Sequence, residues 1–187
     1  AQIEARIPKG IFRDNFRRAY NKLKLKRQGR KIAIYGSLEE LKWNKRLYAD
    51  LEYTDFPSTV VVIYGFLDEK KDEYRQFAIG EETQAAEYLA SKIKEGYKVF
   101  YYGSRDKRML LDLLARKGYM KKRQAEKAFV NVLCILQKNV AINVESYSLS
   151  DVFSALTNAL RIKDKRIQEI REYTLKLKGP TKAALCS

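Results

Sequence analysis

The order of hydrophobic and polar positions along the chain predicts three successive strands. Residues 47–53 alternate and are rich in aromatic side chains, which is typical of a half-buried strand. Residues 59–67 form a continuous apolar run, typical of a strand covered on both faces. A third strand is expected at 74–79, after the charged turn 68–72. Strands that follow one another through such short connections predict an antiparallel meander.

After the meander the hydrophobic period changes to that of helices. Glycines follow two of the predicted helices and are expected to end them. The elements expected here are a helix at 81–95, a strand at 97–103, a helix at 105–116 and a helix at 150–161. The apolar run 129–136 is either a fifth strand or the start of a buried helix. Within it, Cys134 is expected to be a small buried residue.

An antiparallel three-strand meander followed by alternating helices and parallel strands is similar to the element order of an RNase-H-like fold. The sequence therefore predicts an α/β protein with a mixed sheet. We expect a basic N-terminal arm or helical extension at 1–46 and the RNase-H-like domain at 47–175. A flexible tail is expected at 176–187, where Gly179 precedes Pro180.

The net charge of +15 is concentrated near the start of the chain. Residues 1–46 contain 14 Lys and Arg but only four Asp and Glu, and a basic amphipathic helix is predicted at 11–27. Clustered cations favour nucleic acid as the partner over a role in solubility alone. The residues expected to contact phosphates are Arg13, Arg17, Arg18, Lys22, Lys24, Lys26, Arg27, Arg105 and Lys107.

The absence of histidine excludes several kinds of active site. Ser-His-Asp triads, Cys-His pairs, histidine zinc sites and histidine bases all require it. Cys134 and Cys186 match neither a metal-ligand pattern nor a disulfide framework. Any catalysis would therefore depend on carboxylates, Lys, Tyr or a metal held by oxygen ligands.

Two further expectations concern the environment of the protein. No stretch approaches the ~18 consecutive apolar residues of a membrane span, and residues 1–6 contain no apolar signal core. We therefore expect no membrane partner and an intracellular protein, cytoplasmic or nucleoid-associated. The Lys- and Glu-rich composition hints at a thermophile.

Asp50 and Glu52 are the first candidate catalytic residues. Residues two apart on a strand project from the same face, so two carboxylates would stand side by side. Like charges at that separation repel each other unless a cation lies between them, and Mg²⁺ binds one or two carboxylates together with waters and phosphates. The alternative is an edge strand whose two acids are simply solvated.

Two more acids could complete a metal site. Asp106 follows the predicted strand 97–103, although an acid in the first turn of a helix also favours the helix dipole. Tyr147 lies four residues before Asp151, and on a helix the two would share a face. In the alternative, Ser148 or Ser150 caps a helix and Asp151 belongs to its first turn.

Together these segments resemble the DEDD superfamily of 3′–5′ exonucleases. Residues 48–54 resemble its first motif, an Asp-x-Glu on the first strand, and residues 101–107 resemble its second. Residues 147–151 fit the tyrosine form of its third motif, the only form open to a chain without histidine. The resemblance implies a two-metal nuclease in which Asp50, Glu52, Asp106 and Asp151 hold two Mg²⁺ or Mn²⁺ ions and Tyr147 positions the water.

The chain is also similar to the RNase-H-like nuclease domains associated with RecB-family nucleases and helicases, which implies a helicase or a replication or recombination partner. It departs from them at Asn131, where such domains often have Asp. The segment Tyr147-Ser148-Leu149 can also correspond to a stretch upstream of the third motif, which would leave the last acid missing. Two alternatives therefore stay open: a non-catalytic nucleic-acid-binding protein on a degenerate nuclease fold, and a recombination or integration enzyme.

Overall fold

The structure is a computed structural model. The backbone is described for residues 11–55, 58–158, 168, 171–172 and 174–177. Within these ranges, the side chains of 11–17 and 157–158 are not described. The predicted phosphate contacts Arg13 and Arg17 therefore lie outside the described side chains.

Helices and strands alternate along most of the chain. The elements are, in order, α1 (Ile11–Arg27), β1 (Ile32–Ile34), β2 (Arg46–Thr54), β3 (Val60–Asp68), β4 (Glu73–Ala78), α2 (Glu82–Lys94), β5 (Lys98–Tyr101), α3 (Ser104–Arg116), α4 (Lys122–Ala125), β6 (Phe129–Asn131), α5 (Val132–Asn139), β7 (Val140–Ile142) and α6 (Leu149–Asn158). Short 3-10 turns occupy Glu39–Leu41 and Glu126–Ala128.

The chain divides into two compact units, and each is described by itself. Unit 1 comprises Ala1–Leu38 and Cys134–Arg171, and unit 2 comprises Glu39–Leu133 and Glu172–Ser187. These boundaries do not coincide with the domain limits expected near residues 46 and 175. Since unit 2 contains the central segment of the chain, unit 1 is assembled from the segments on either side of it.

Unit 2 is built on a five-stranded mixed sheet in the order β4-β3-β2-β5-β6. The strands β2, β3 and β4 are antiparallel neighbours, which is the predicted meander. The strands β5 and β6 extend the sheet on the other side of β2 and run parallel to it. The predicted α/β class is confirmed at this level.

One face of this sheet forms the main hydrophobic core with α2 and α3. Alternation along β2 places Leu47, Ala49 and Leu51 in that core, together with Leu89 of α2 and Leu110 of α3. The opposite face of β2 carries Tyr48, which is fully buried, and then the two acids. A register shift in the β2–β3 ladder falls between Glu52 and Tyr53. The sheet therefore supports the acids on a well-packed strand.

A buried ion pair joins the end of β3 to α2. The Lys92 Nζ lies 2.5 Å from the Asp68 Oδ2, and both side chains are at most 5% exposed. Backbone N–H groups of Lys70 and Lys71 donate to the Asp68 Oδ1, and the Lys92 Nζ lies 4.7 Å from the centre of the Tyr97 ring. A pair this well hydrogen-bonded satisfies both charges away from water.

The last described residues of unit 2 contact the turn that follows β3. Lys176 forms an ion pair with Glu69, which also binds Arg46. Lys176 and Leu177 are the first residues of the expected flexible tail, yet both are helical and Leu177 is only 1% exposed. Residues 178–187 lie outside the described part of the chain.

Unit 1 contains a two-stranded antiparallel sheet formed by β1 and β7, in which Ile32 pairs with Ile142. Backbone N–H groups of Tyr35 and Gly36 donate to the Asn139 carbonyl, which fixes the chain directly after β1. The sequence did not predict β7. Among the helices that the structure describes, none combines the length and the apolar composition needed to cross a bilayer.

Candidate functional site

Asp50 and Glu52 lie on the central strand of the unit 2 sheet. Asp50 is half-buried and Glu52 is exposed, and they pair across the ladder with Gly65 and Ile63 of β3. Pairing of β2 with β5 involves residues 46–48, so both acids lie beyond it, toward the carboxyl end of β2. β2 is an interior strand of the sheet, although its acid-bearing part pairs with β3 alone and Glu52 is exposed to solvent.

Asp106 reaches the same part of unit 2 from α3. The chain leaves β5 at Tyr101 and turns at Gly103, whose φ of 102° favours glycine, before α3 begins at Ser104. Asp106 is only 8% exposed, and the Tyr53 hydroxyl donates a hydrogen bond to its Oδ1. This contact ties the first turn of α3 to the strand that carries the other two acids.

The three carboxylates interact electrostatically. Burial raises the pKa of Asp106 to about 6 from its ordinary 3.8, while the hydrogen bond from Tyr53 acts in the opposite direction. The negative charge of Asp50 raises this pKa further, Arg105 lowers it, and Glu52 raises it. Burial and the two neighbouring carboxylates therefore all act to hold the pKa of Asp106 above its ordinary value.

Two tyrosines border the acids, and sequence reasoning assigned neither of them a role. Burial and the hydrogen bond to Asp106 raise the pKa of Tyr53 far above its usual value. Burial raises the pKa of Tyr74 on β4 to about 12, with further contributions from Asp50 and Glu52. Both phenols stay protonated at neutral pH and can donate hydrogen bonds at this site.

The predicted phosphate contacts on α3 already have acidic partners. The Arg105 guanidinium binds Asp55 and lies 4.2 Å from the centre of the Tyr53 ring. The Lys107 Nζ lies 2.5 Å from the Glu126 Oε1. Phosphate binding at either cation would have to compete with these ion pairs.

The donor set suits a hard divalent cation, but it is not a closed cage. Within the ranges that the structure describes, no three acidic or cysteine side chains are arranged to hold one metal ion. Mg²⁺ requires no such cage, because it keeps several waters and is commonly held by one or two carboxylates together with substrate phosphates. The residues present therefore fit a metal that binds together with its substrate.

Tyr147 and Asp151 belong to unit 1, whereas Asp50, Glu52 and Asp106 belong to unit 2. The Tyr147 hydroxyl donates to the Val140 carbonyl and accepts from the Ile142 N–H, each at 3.2 Å. These contacts fasten the tyrosine to β7.

Asp151 lies in the first turn of α6. The Ser146 Oγ donates to its Oδ2 at 2.5 Å, and the Asp151 N–H donates to the Ser148 Oγ at 3.0 Å. Hydrogen bonds from Ser146 and Ser148 lower the pKa of Asp151. The arrangement is that of the helix-capping alternative. Asp151 also borders a cleft of about 380 Å³ together with Lys31 and Glu145.

Helix α1 has the predicted bounds and presents several cations to solvent. Lys24, Lys26 and Arg27 are exposed, and the Lys22 Nζ lies 5.9 Å from the centre of the Tyr147 ring. Among the described residues, no acidic side chain pairs with Lys24, Lys26 or Arg27. Their charge is available to a polyanion.

No protein-family model, curated protein or solved structure matches the chain.

Proposed function

We propose that this protein is a metal-dependent nuclease, a 3′–5′ exonuclease on an RNase-H-like fold, in which Asp50, Glu52 and Asp106 each contribute to binding metal ions that enter together with the substrate phosphates. The observation that carries the proposal is the hydrogen bond from Tyr53 to Asp106. It holds the third acid beside the strand that bears the other two, although Asp106 lies 53 residues beyond Tyr53 in the sequence.

The sheet supports the same assignment. An antiparallel meander whose first strand lies at the centre, extended by two parallel strands, is the arrangement expected of an RNase-H-like fold. Asp50 and Glu52 lie in the carboxyl-terminal half of β2, and Asp106 follows β5, which is the parallel neighbour of β2. Ligands of open α/β sheets bind at the carboxyl ends of such strands.

Repulsion among the neighbouring carboxylates favours a bound cation. Asp50 and Glu52 both raise the pKa of Asp106, while the nearby guanidinium of Arg105 is already paired with Asp55. A divalent ion would relieve this repulsion. When bound, two such ions supply activation of the attacking water and neutralisation of charge on the phosphate. The carboxylates hold the ions, and the protonated Tyr53 orients Asp106.

The basic surface supports nucleic acid as the substrate. The net charge is +15, and the exposed cations of α1 have no acidic partners within the described residues. Lys and Arg contacts to phosphates supply affinity that does not depend on base sequence. Such contacts suit an exonuclease, which must hold successive nucleotides of any sequence.

The second candidate is a non-catalytic nucleic-acid-binding protein on the same fold. Three observations favour it: Asn131 ends β6 where related domains often carry an acid, Tyr147 is fastened to backbone, and Asp151 is engaged in helix capping. Under this second proposal the acids have no catalytic role, and the basic surface binds nucleic acid.

A cleavage assay separates the two. Single-stranded DNA and RNA with a 5′ label are incubated with the protein in Mn²⁺ or in EDTA. The proposal predicts shortening from the 3′ end only with metal, reduced at least about 100-fold in Asp50→Asn and Asp106→Asn, which is about 3 kcal/mol of transition-state stabilisation. Glu87→Gln, which changes an exposed acid on α2, is the matched control and should cleave normally.

The opposite result identifies the binder. Substrate that stays intact in Mn²⁺, together with gel shifts that weaken steeply as salt rises, would reject the nuclease and support the non-catalytic protein. Replacing Lys24, Lys26 and Arg27 by Gln should then weaken the shift for all sequences alike.

A further inference from the structure

An exposed tryptophan marks a second surface of unit 2, away from the acids. Trp43 is the only tryptophan of the chain and is 47% exposed. It precedes β2, whereas Glu52 lies near the other end of that strand. Six residues separate Arg46 from Glu52, so the two regions are about 20 Å apart along the strand. Trp43 therefore belongs to a different end of the sheet from the proposed metal site.

One lysine lies beside the ring, and a second follows Trp43 by two positions in the sequence. The Lys98 Nζ is 5.0 Å from the centre of the Trp43 ring. The Lys98 N–H donates to the Lys45 carbonyl at 2.9 Å, which places these two residues side by side on neighbouring strand ends. Trp43, Lys45 and Lys98 are together called the Trp43 surface below.

The charges of both lysines are unneutralised. The Lys98 Nζ donates to the Lys127 carbonyl, and the Lys45 Nζ donates to the Glu95 carbonyl, each at 2.6 Å. These acceptors are neutral. Among the residues that the structure describes, no acidic side chain forms an ion pair with Lys45 or Lys98. The surface therefore combines a half-exposed aromatic ring with two lysines that have neutral partners, namely backbone carbonyls and, for Lys45, the Tyr97 ring at 5.8 Å from its centre.

The ring is also oriented by the backbone. The Trp43 Nε1 lies 3.5 Å from the Gly96 carbonyl, and Lys98 packs beside the ring, so its position is set by the start of β5. A held aromatic ring loses little conformational freedom when another flat group stacks on it.

We propose that the Trp43 surface binds single-stranded nucleic acid, with one unpaired base stacked on Trp43 and adjacent phosphates bound by Lys98 and Lys45. Sequence-tolerant single-strand sites combine these same two features, an aromatic platform and a positively charged path for the backbone. The inference rests on the nucleic-acid partner of the proposed function, but it needs no catalysis. The surface would hold the strand at a distance from the acids.

Base pairing should make the Trp43 surface prefer single strands to duplexes. A base inside a duplex is stacked on both faces, so it cannot lie on Trp43 without being extruded, which costs a few kcal/mol. Single strands present unstacked bases at no such cost. The Trp43 surface therefore discriminates between single strands and duplexes, while contacts to phosphates alone would not.

Intrinsic fluorescence tests this directly, since Trp43 supplies all of the tryptophan emission. The full chain is titrated in EDTA with oligo(dT), oligo(U) and a blunt duplex of equal length. We expect saturable quenching by the single strands and little by the duplex. Binding is measured in parallel by the anisotropy of a labelled oligonucleotide, which also serves variants that lack tryptophan.

Substitutions assign the contacts. Trp43→Ala should weaken single-strand binding about tenfold, the effect of losing one stacked base, and Trp43→Phe should restore most of it. Lys98→Gln should lower the slope of log affinity against log salt by about 0.7, as expected for one lost phosphate contact. Lys71→Gln, an exposed lysine in the turn after β3, is the control for net charge and should leave the slope unchanged.

Three results would overturn the inference. The first is single-strand binding in the anisotropy assay with no change in Trp43 emission. The second is normal affinity in a Trp43→Ala protein that has the thermal melt of the wild type. The third is quenching by polyglutamate as strong as by oligo(dT), which would indicate an acidic protein partner. None of these depends on cleavage, so the nuclease proposal stands or falls separately.

Discussion

The Tyr53 hydroxyl donates a hydrogen bond to the Asp106 carboxylate, and so the central strand of unit 2 controls the first turn of α3. Asp106 is buried and Tyr53 is partly buried, and burial raises the pKa of each. The phenol keeps its proton, while the carboxyl loses its own near neutrality. The position and the charge of Asp106 therefore both depend on Tyr53.

Removing this hydrogen bond should raise the pKa of Asp106 above its present value of about 6, because the Tyr53 contact favours the ionised carboxylate. Tyr53→Phe keeps the ring and deletes the hydroxyl. The chemical shift of the Asp106 carboxyl carbon, measured by NMR as pH is varied, gives the pKa of Asp106. Tyr74→Phe is the control, since its hydroxyl bonds to Gln76. An unchanged or lower value in Tyr53→Phe would show that the contact is not formed in solution.

The raised pKa of Asp106 also gives stability a defined pH dependence. Between the ordinary value of 3.8 and about 6, the folded chain holds a proton on Asp106 that the unfolded chain has lost. Asp106 therefore adds about 2–3 kcal/mol to the free energy of unfolding below about pH 4. This stabilisation is lost as pH rises through 6.

Asp106→Asn removes this titration while keeping an oxygen that can accept from Tyr53. The difference in unfolding free energy, wild type minus Asp106→Asn, should decrease between pH 4 and pH 7 in urea unfolding experiments. A difference that is flat or that increases with pH would contradict the assignment. Mn²⁺ should stabilise the wild type at pH 7.5 and have a smaller effect on the variant.

The buried pair of Asp68 and Lys92 should be costly to break from one side. Burial acts to raise the pKa of Asp68, but the hydrogen bonds from Lys92 and Tyr97 outweigh it and the net shift is downward. Lys92→Met would leave that carboxylate buried without its partner, at a cost of about 3–5 kcal/mol.

Urea unfolding measures this cost, and Lys94→Met, an exposed lysine of the same helix, should change stability little. Combining Lys92→Met with Asp68→Asn should recover part of the loss, because no charge then remains buried. If Lys92→Met and Lys94→Met have the same free energy of unfolding, the pair of Asp68 and Lys92 contributes nothing to stability.

Gly36 should not tolerate a side chain. A Cβ there would lie within 3.0 Å of three atoms of Asn139, whose amide is itself held by a hydrogen bond to the Ile135 carbonyl. Gly36→Ala should lower the midpoint of thermal unfolding, through a loss of about 1–3 kcal/mol from overpacking. In an Asn139→Ala background the same change should cost much less. Equal costs in the two backgrounds would mean that Asn139 is not the obstacle.

Local patterns predicted the sheet of unit 2 well. The alternating run at 47–53 became β2, and the long apolar run at 59–67 became β3, because runs of this length show alternation or continuous apolarity clearly. The same holds for α2 and α3, whose apolar stripes extend over three turns. The rule that carboxyl ends of parallel strands meet at one edge then brought Asp106 toward Asp50.

Local sequence patterns did not predict the very short elements or the pairing of residues that lie far apart in the sequence. The run 129–136 is apolar in either conformation, and it divides into the short strand β6 and the helix α5. The helix turns Cys134 to solvent, so the expected burial of Cys134 is wrong. The strand β7 has three residues, too few for a period, and its partner β1 lies about 110 residues earlier, since Ile32 pairs with Ile142.

The candidate site was likewise predicted in part. The pair Asp50 and Glu52 follows from strand geometry, whereas the bond between Tyr53 and Asp106 depends on a tertiary contact that no local pattern encodes. The spacing of Tyr147 and Asp151 fits both a catalytic and a capping arrangement, and the choice depends on which backbone groups lie nearby.

The pairing of Ile32 with Ile142 sets an order on folding as the chain is synthesised. All five strands of the larger sheet lie between these residues, so that sheet can form while the partner of β1 is still missing. Until β7 is synthesised, α1 lacks the strand that packs against it. We expect nascent chains that have emerged from the ribosome as far as about residue 135 to protect the larger sheet against proteolysis while leaving α1 open to attack.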